Sequence, residues 1–171
     1  MKPFGLIVAA AVGLSIAAFP VFAWARAKKR AGNSAVEQVA AVLYVENGPK
    51  ADDDAHRAVA EVFWRNAAAA QKTPAQVLAG NGGPLAPWPT STAYQVLIAG
   101  ARMGMLANET NAKRLATIAT EARGANAVSA GGTNWTHGSG PFEQWLEKGY
   151  TVVASFKVPS AKRPYLWVYK R

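Results

Sequence analysis

Ser34-Ala-Val-Glu37-Gln-Val39-Ala-Ala-Val-Leu43-Tyr-Val-Glu46-Asn47-Gly48-Pro49 is the stretch from which the fold is read. Its Ser34-x-x-Glu37 spacing is a capping box, in which each side chain satisfies a backbone N–H at a helix start. Val36, Val39, Ala40 and Leu43 recur at helical spacing, and Asn47-Gly48-Pro49 stops the run. These residues predict a helix ending at about Glu46.

Downstream, Asp52, Asp53 and Asp54 open a second helix, where acidic side chains are expected to accept backbone N–H bonds and face the positive end of the macrodipole. Ala55, Ala58, Val59, Val62 and Phe63 form its apolar stripe. Thr73-Pro74 begins a short helix that Gly80 ends. Residues 81–90 hold three prolines and two glycines and must be an irregular loop. Ser91 or Thr92 caps another helix, with Tyr94, Leu97, Ile98 and Ala101 inside. Residues 109–123 make one more, with Leu115, Ile118, Ala119 and Ala122 inside and Gly124 as its stop. Residues 131–140 read as a second loop, and Pro141 to Lys148 as a short amphipathic helix ended by Gly149. Tyr150–Val158 and Tyr165–Tyr169 are β-branched and aromatic, and Pro159–Pro164 joins them as a hairpin. The fold class expected is α+β: a mainly helical domain, 34–171, with a small C-terminal β-hairpin.

Upstream, residues 3–25 carry no charge, which is long enough for a bilayer span of roughly 20 residues and predicts an N-terminal hydrophobic helix. Two readings stay open. Ala23-Trp24-Ala25 offers small residues at the positions a signal peptidase reads, so 1–25 could be a cleaved signal peptide. The basic cluster Arg26, Lys28, Lys29 and Arg30 hinders export and favours a retained transmembrane anchor, with 26–33 as a basic tether.

The 171 residues are 50% apolar, enough to bury a core, so bulk disorder is excluded. There is no cysteine, which rules out disulfides and thiol nucleophiles. With two histidines, His56 and His137, a three-histidine metal site is impossible. Asp54-x-His56 is explained by helix capping, so neither a metal nor a cofactor is expected. His137-Gly138-Ser139-Gly140 lacks the preceding strand of a nucleophile elbow. The net charge of +9 favours anionic partners: a polyanionic cell wall, acidic lipid or nucleic acid. No recognisable nucleic-acid-binding motif accompanies the charge, so nucleic acid is the least expected of these.

Carboxylates remain as carriers of chemistry. At the end of a helix, Glu46 lies near the negative end of the macrodipole, which disfavours its ionised form. A carboxyl group kept partly neutral is what a general acid needs. The alternative is an ordinary surface glutamate. Glu121 also sits in a last helical turn, where Arg123 could pair with it. Of the six tryptophans, Trp64 and Trp145 are expected in the core, whereas Trp88 and Trp135 fall in glycine-rich loops and could stack on a sugar or a base. Lys157, Lys162, Arg163, Lys170 and Arg171 make the hairpin positive.

Residues 36–158 resemble the cell wall hydrolase family that includes the spore cortex-lytic enzymes. The likeness rests on Val45-Glu46-Asn47-Gly48, followed by Ala58-Val59-Ala60-Glu61-Val62-Phe63-Trp64-Arg65-Asn66, where the family has Asn-Arg in the opposite order. Further on come Asn134-Trp135-Thr136-His137, Pro141-Phe142-Glu143-Gln144-Trp145 and Val152-Val153-Ala154-Ser155-Phe156. The resemblance implies a lysozyme-like domain that cleaves the glycan strands of peptidoglycan, as a lytic transglycosylase or muramidase, in the cell envelope. It implies Glu46 as the single general acid. Glu121 is the runner-up, because Glu121-Ala122-Arg123-Gly124 also looks like a family phrase. Trp135, His137 and Trp88 would line the cleft. The competing expectation is a non-enzymatic, membrane-anchored structural protein of an envelope or of a membrane-containing virus particle.

Overall fold

A computed structural model describes residues 35–78 and 92–171, all within the unit Asn33–Arg171. The described helices are α1 (Ala35–Asn47), α2 (Asp53–Ala69), α3 (Pro74–Leu78), α4 (Thr92–Ala107), α5 (Glu109–Glu121) and α6 (Glu143–Glu147). The strands are β1 (Asn134–Gly138), β2 (Thr151–Lys157) and β3 (Tyr165–Lys170). The class is α+β, with about half of the described chain helical. The hydrophobic head, the tether, the cap residue Ser34 and the 81–90 loop with Trp88 lie outside the described residues.

Helix α1 is the hub. It packs against α2, α3, α4 and α5, and Gln38 through Leu43 are all buried. That is why its apolar character runs nearly all round instead of down one stripe. The α2 stripe is as expected: Ala55, Ala58, Val59, Val62 and Phe63 are fully buried. Leu115, Ile118, Ala119 and Ala122 of the α5 segment close the same core. Gly124 follows at φ +81°, a left-handed stop that suits glycine.

Four expectations need correction. Asp52 is the N-cap of α2 but makes no side-chain cap bond; instead Asp53 accepts from Arg114 Nε at 2.7 Å. The same arginine also donates to the carbonyls of Pro49 and Ala51, and so ties this carboxylate to the α1–α2 turn. Leu97 is exposed, while Ile98, Ala101 and Met105 bury the inner face of α4. Trp145 is only half-buried, in a cluster where it stacks on Tyr150 and meets Tyr169 and Phe142 edge to face. Finally, residues 134–138 are a strand, so the strand expected to be missing before Ser139 is present, although the sheet it joins is antiparallel and not the α/β sheet that carries a nucleophile elbow. The sheet has three strands in the order β1-β3-β2, both pairings antiparallel, with Trp135 opposite Val168 and His137 opposite Leu166. Asn-Trp-Thr-His-Gly has no apolar alternation, and its pairing partner lies some 30 positions further on, so local pattern does not reveal it.

Helix α2 ties the sheet to the helices. Glu61 is fully buried and its carboxylate accepts the backbone N–H of Ser129 at 2.7 Å and of Val128 at 3.3 Å. One turn on, Arg65 donates to the Gly132 carbonyl and to Ser129 Oγ, and Asn66 donates to the Thr133 carbonyl at 2.7 Å. Three α2 side chains thus grip 128–133, the segment that leads directly into β1. Backbone polar groups buried there would be costly without them.

Candidate active site around Glu46

Glu46 is the penultimate residue of α1, and its side chain is only 10% exposed. Residues two apart on a strand share a face, and Trp135 and His137 of β1 both reach the end of α1. The Trp135 indole N–H donates to Glu46 Oε2 at 3.1 Å. His137 Nδ1 stands 3.5 Å from the same oxygen. On its other side, His137 Nε2 contacts Asn47 Oδ1 at 2.9 Å. Glu46, Asn47, Trp135 and His137 therefore form one cluster, joining the close of the first described helix to the first strand of the sheet.

His137 is held in its neutral form. Burial and, after it, the positive charge of Arg163 in the β2–β3 loop lower its pKa to about 4. Its contact with Glu46 is therefore no ordinary ion pair at neutral pH. The Asn47 side chain is buried, and its Oδ1 takes the Nε2 contact while its Nδ2 has no hydrogen-bond partner.

The other candidates fall elsewhere. Glu121 is half-exposed and pairs with Arg57 Nη2 at 2.8 Å, not with Arg123, whose guanidinium lies 5.3 Å from the centre of the Trp64 ring. It shares no contact with the Glu46 cluster. Trp64 is buried and donates its indole N–H to the Ala119 carbonyl at 2.7 Å, a core role. His56 is fully buried, whereas Asp54 is exposed. Among the described residues no group of three His, Asp or Glu is placed to hold a metal ion. Lys157, Lys162, Arg163, Lys170 and Arg171 are all exposed, and Arg163 is near enough for its charge to act on His137.

Asn47 is the member that sequence reasoning missed. In Asn47-Gly48-Pro49 it reads only as a helix stop. The available signal was its adjacency to Glu46 on a turn that could face the same partner. The chain was compared with family models, with curated proteins and with solved structures, and no match was found.

Proposed function

We propose that this chain cleaves the glycan strands of peptidoglycan in the cell envelope, with Glu46 as its general acid. The observation that carries this reading is a carboxyl group almost wholly withdrawn from water, at a helix C-terminus, with an indole donor and a neutral imidazole on one oxygen. Such a group can hand its proton to a glycosidic oxygen as the C–O bond breaks. Positive charge then builds at the sugar carbon, and the substrate's own hydroxyl (transglycosylase) or a water (muramidase) captures it. The carboxylate left behind recovers its proton from that nucleophile. The exposed basic residues of the β2–β3 hairpin suit an anionic wall polymer. The hydrophobic head, 3–25, would supply membrane attachment or export.

A zymogram on purified wall material tests this, comparing the wild-type chain with Glu46→Gln and Glu121→Gln. Clearing by the wild type and by Glu121→Gln, but not by Glu46→Gln, is the expected result. Clearing that survives Glu46→Gln would move the acid elsewhere. No clearing by any form would favour the non-enzymatic, membrane-anchored structural protein.

A further inference from the structure

The three-stranded sheet has two faces, and the Glu46 cluster uses one of them. Opposite residues on antiparallel strands share a face, as do residues two apart on one strand. Trp135 and His137 pair with Val168 and Leu166, whose side chains belong to the core with the helices. Tyr165, Trp167 and Tyr169 of β3 therefore stand on the other side. Helix α6 covers the Tyr169 end of that outer face: the Trp145 ring meets Tyr169 edge to face at 5.1 Å, and Tyr169 is fully buried. Beyond it Trp167 is half-buried and Tyr165 is 39% exposed, with ring centroids 5.7 Å apart. The indole nitrogen of Trp167 is buried, so the side-chain surface that this residue shows to solvent is carbon.

The neighbours of these two rings are small or polar. Trp167 lies between Thr136 of β1 and Ser155 of β2, and Tyr165 between Gly138 and Lys157. Ser155 and Lys157 are both exposed. The region also carries one sign of charge. Residues 148–171 hold six basic side chains, Lys148, Lys157, Lys162, Arg163, Lys170 and Arg171, and no acidic one. The acidic groups of α6, Glu143 and Glu147, belong to the covered end.

We propose that Tyr165 and Trp167 form a second, non-catalytic platform on which wall glycan stacks its sugar rings, while Lys157 attracts the carboxylates that such a glycan carries. The C–H face of a pyranose is apolar and weakly positive, and suits the negative face of an aromatic ring. The Ser155 hydroxyl can both donate to and accept from the sugar's own hydroxyl groups. A bilayer matches this face less well, because rings set in a sheet among Thr, Ser and Lys present no apolar stripe to bury in lipid. A nucleic acid strand also matches it less well, since one cation stands beside the two rings where a phosphate backbone needs a positive groove. The inference goes beyond the hydrolase reading and rests on it only for the choice of wall glycan as ligand. On the far face of the sheet from Glu46, the platform takes no part in cleavage. It holds the chain on an insoluble polymer between cuts, because one bound contact raises the effective concentration of the other.

Binding is measured by cosedimentation of the full chain, in detergent micelles, with purified insoluble peptidoglycan. Glu46→Gln is present throughout so that the polymer is not consumed. Tyr165→Thr and Trp167→Val remove the rings but keep strand-forming residues. Each is expected to raise Kd about fivefold or more, and Tyr165→Phe to stay within about twofold of the parent. Lys157→Gln is expected to raise Kd about two- to fivefold and to flatten its dependence on salt. Ring variants that bind the wall like the parent, with circular dichroism unchanged, overturn the proposal. Ring-dependent binding of a dT oligonucleotide, or of phosphatidylglycerol doped into the micelles, with no binding of the wall, also overturns it. If Trp167→Val loses its fold, Tyr165→Thr, at the exposed start of β3, decides. Ring-dependent wall binding by a protein whose wild-type form clears nothing keeps the platform and ends the hydrolase reading. Clearing by the wild type, with wall binding indifferent to the rings, does the reverse.

Discussion

The indole N–H of Trp135 meets the carboxyl group of Glu46 at 3.1 Å across 89 positions of the chain. The bond joins the helical half of the molecule to the sheet at the point where chemistry is proposed. Trp135→Phe keeps most of the buried ring and removes the donor. A hydrogen bond between neutral groups contributes about 0.5–1.5 kcal/mol, so wall clearing is expected to fall roughly two- to tenfold. Initial rates of turbidity loss, with circular dichroism as the check on folding, measure it.

Glu121 offers the contrasting case. Its ion pair with Arg57 lies at the surface, with the carboxylate side chain 51% exposed. Exposed pairs of this kind contribute about 0–1 kcal/mol. Glu121→Gln is expected to shift the urea midpoint barely and to leave clearing at the wild-type level.

Glu61 should behave very differently from Glu121. Glu61→Ala strands the buried N–H of Ser129 and the part-buried N–H of Val128. At about 1–3 kcal/mol for each unsatisfied donor, the loss in urea unfolding is expected to be roughly 2–6 kcal/mol. Glu61→Gln keeps one acceptor oxygen and is expected to lose about half as much.

At Gly132 the packing leaves no room for a methyl group. A Cβ there would lie 2.2 Å from Val168 Cγ1 and 3.0 Å from the Ser129 carbonyl. Gly132→Ala is expected to destabilise by about 2 kcal/mol or more, within the usual range for overpacking or above it. Val168→Ala in the same chain is expected to return part of that loss, seen as a non-additive double-mutant cycle. Gly140→Ala, where the added Cβ meets open space, is the matched control.

Acid should weaken the fold through both histidines. Burial, followed by the charge of Arg114, lowers His56 to about 4, and His137 is lowered to about 4 by burial and Arg163. Both folded values lie below the ordinary value of 6.5, so the unfolded chain takes up these protons first. Their effect on stability is nil above about pH 6.5 and grows as pH falls toward 4, at up to about 1.4 kcal/mol per pH unit for each ring. Below about 4 both states are protonated and the effect stops growing. Urea melts at pH 7, 6, 5 and 4 check the slope, and His56→Gln is expected to remove about half of the histidine contribution.

The helices α1, α2 and α5 were legible in the sequence because their signals are local. Acidic starts and three-and-four spacing of Val, Leu and Ala lie within one element each, as do the glycine stops of α1 and α5. The same holds for the β2–β3 hairpin, where two β-rich runs flank Pro159–Pro164. What was hidden is long-range. β1 has only five residues of mixed polarity, and it becomes a strand by pairing with β3. The exposure of Leu97 depends on what else covers α4, which periodicity does not report. Glu46, Trp135 and His137 were each suspected on separate grounds, but their meeting needs a strand where a loop was expected. Once 134–138 is extended, the two-residue spacing of Trp135 and His137 brings them to one face.

The hold of α2 on residues 128–133 also sets an order of events during synthesis. A growing polypeptide that has reached α5 already carries Glu46, but without the segment gripped by Glu61, Arg65 and Asn66 it has neither the indole nor the imidazole. β1 in turn gains its pairing partner only when Tyr165–Lys170 leaves the ribosome. On the proposed reading, a lytic activity assembled this way stays dormant in products that end before β1.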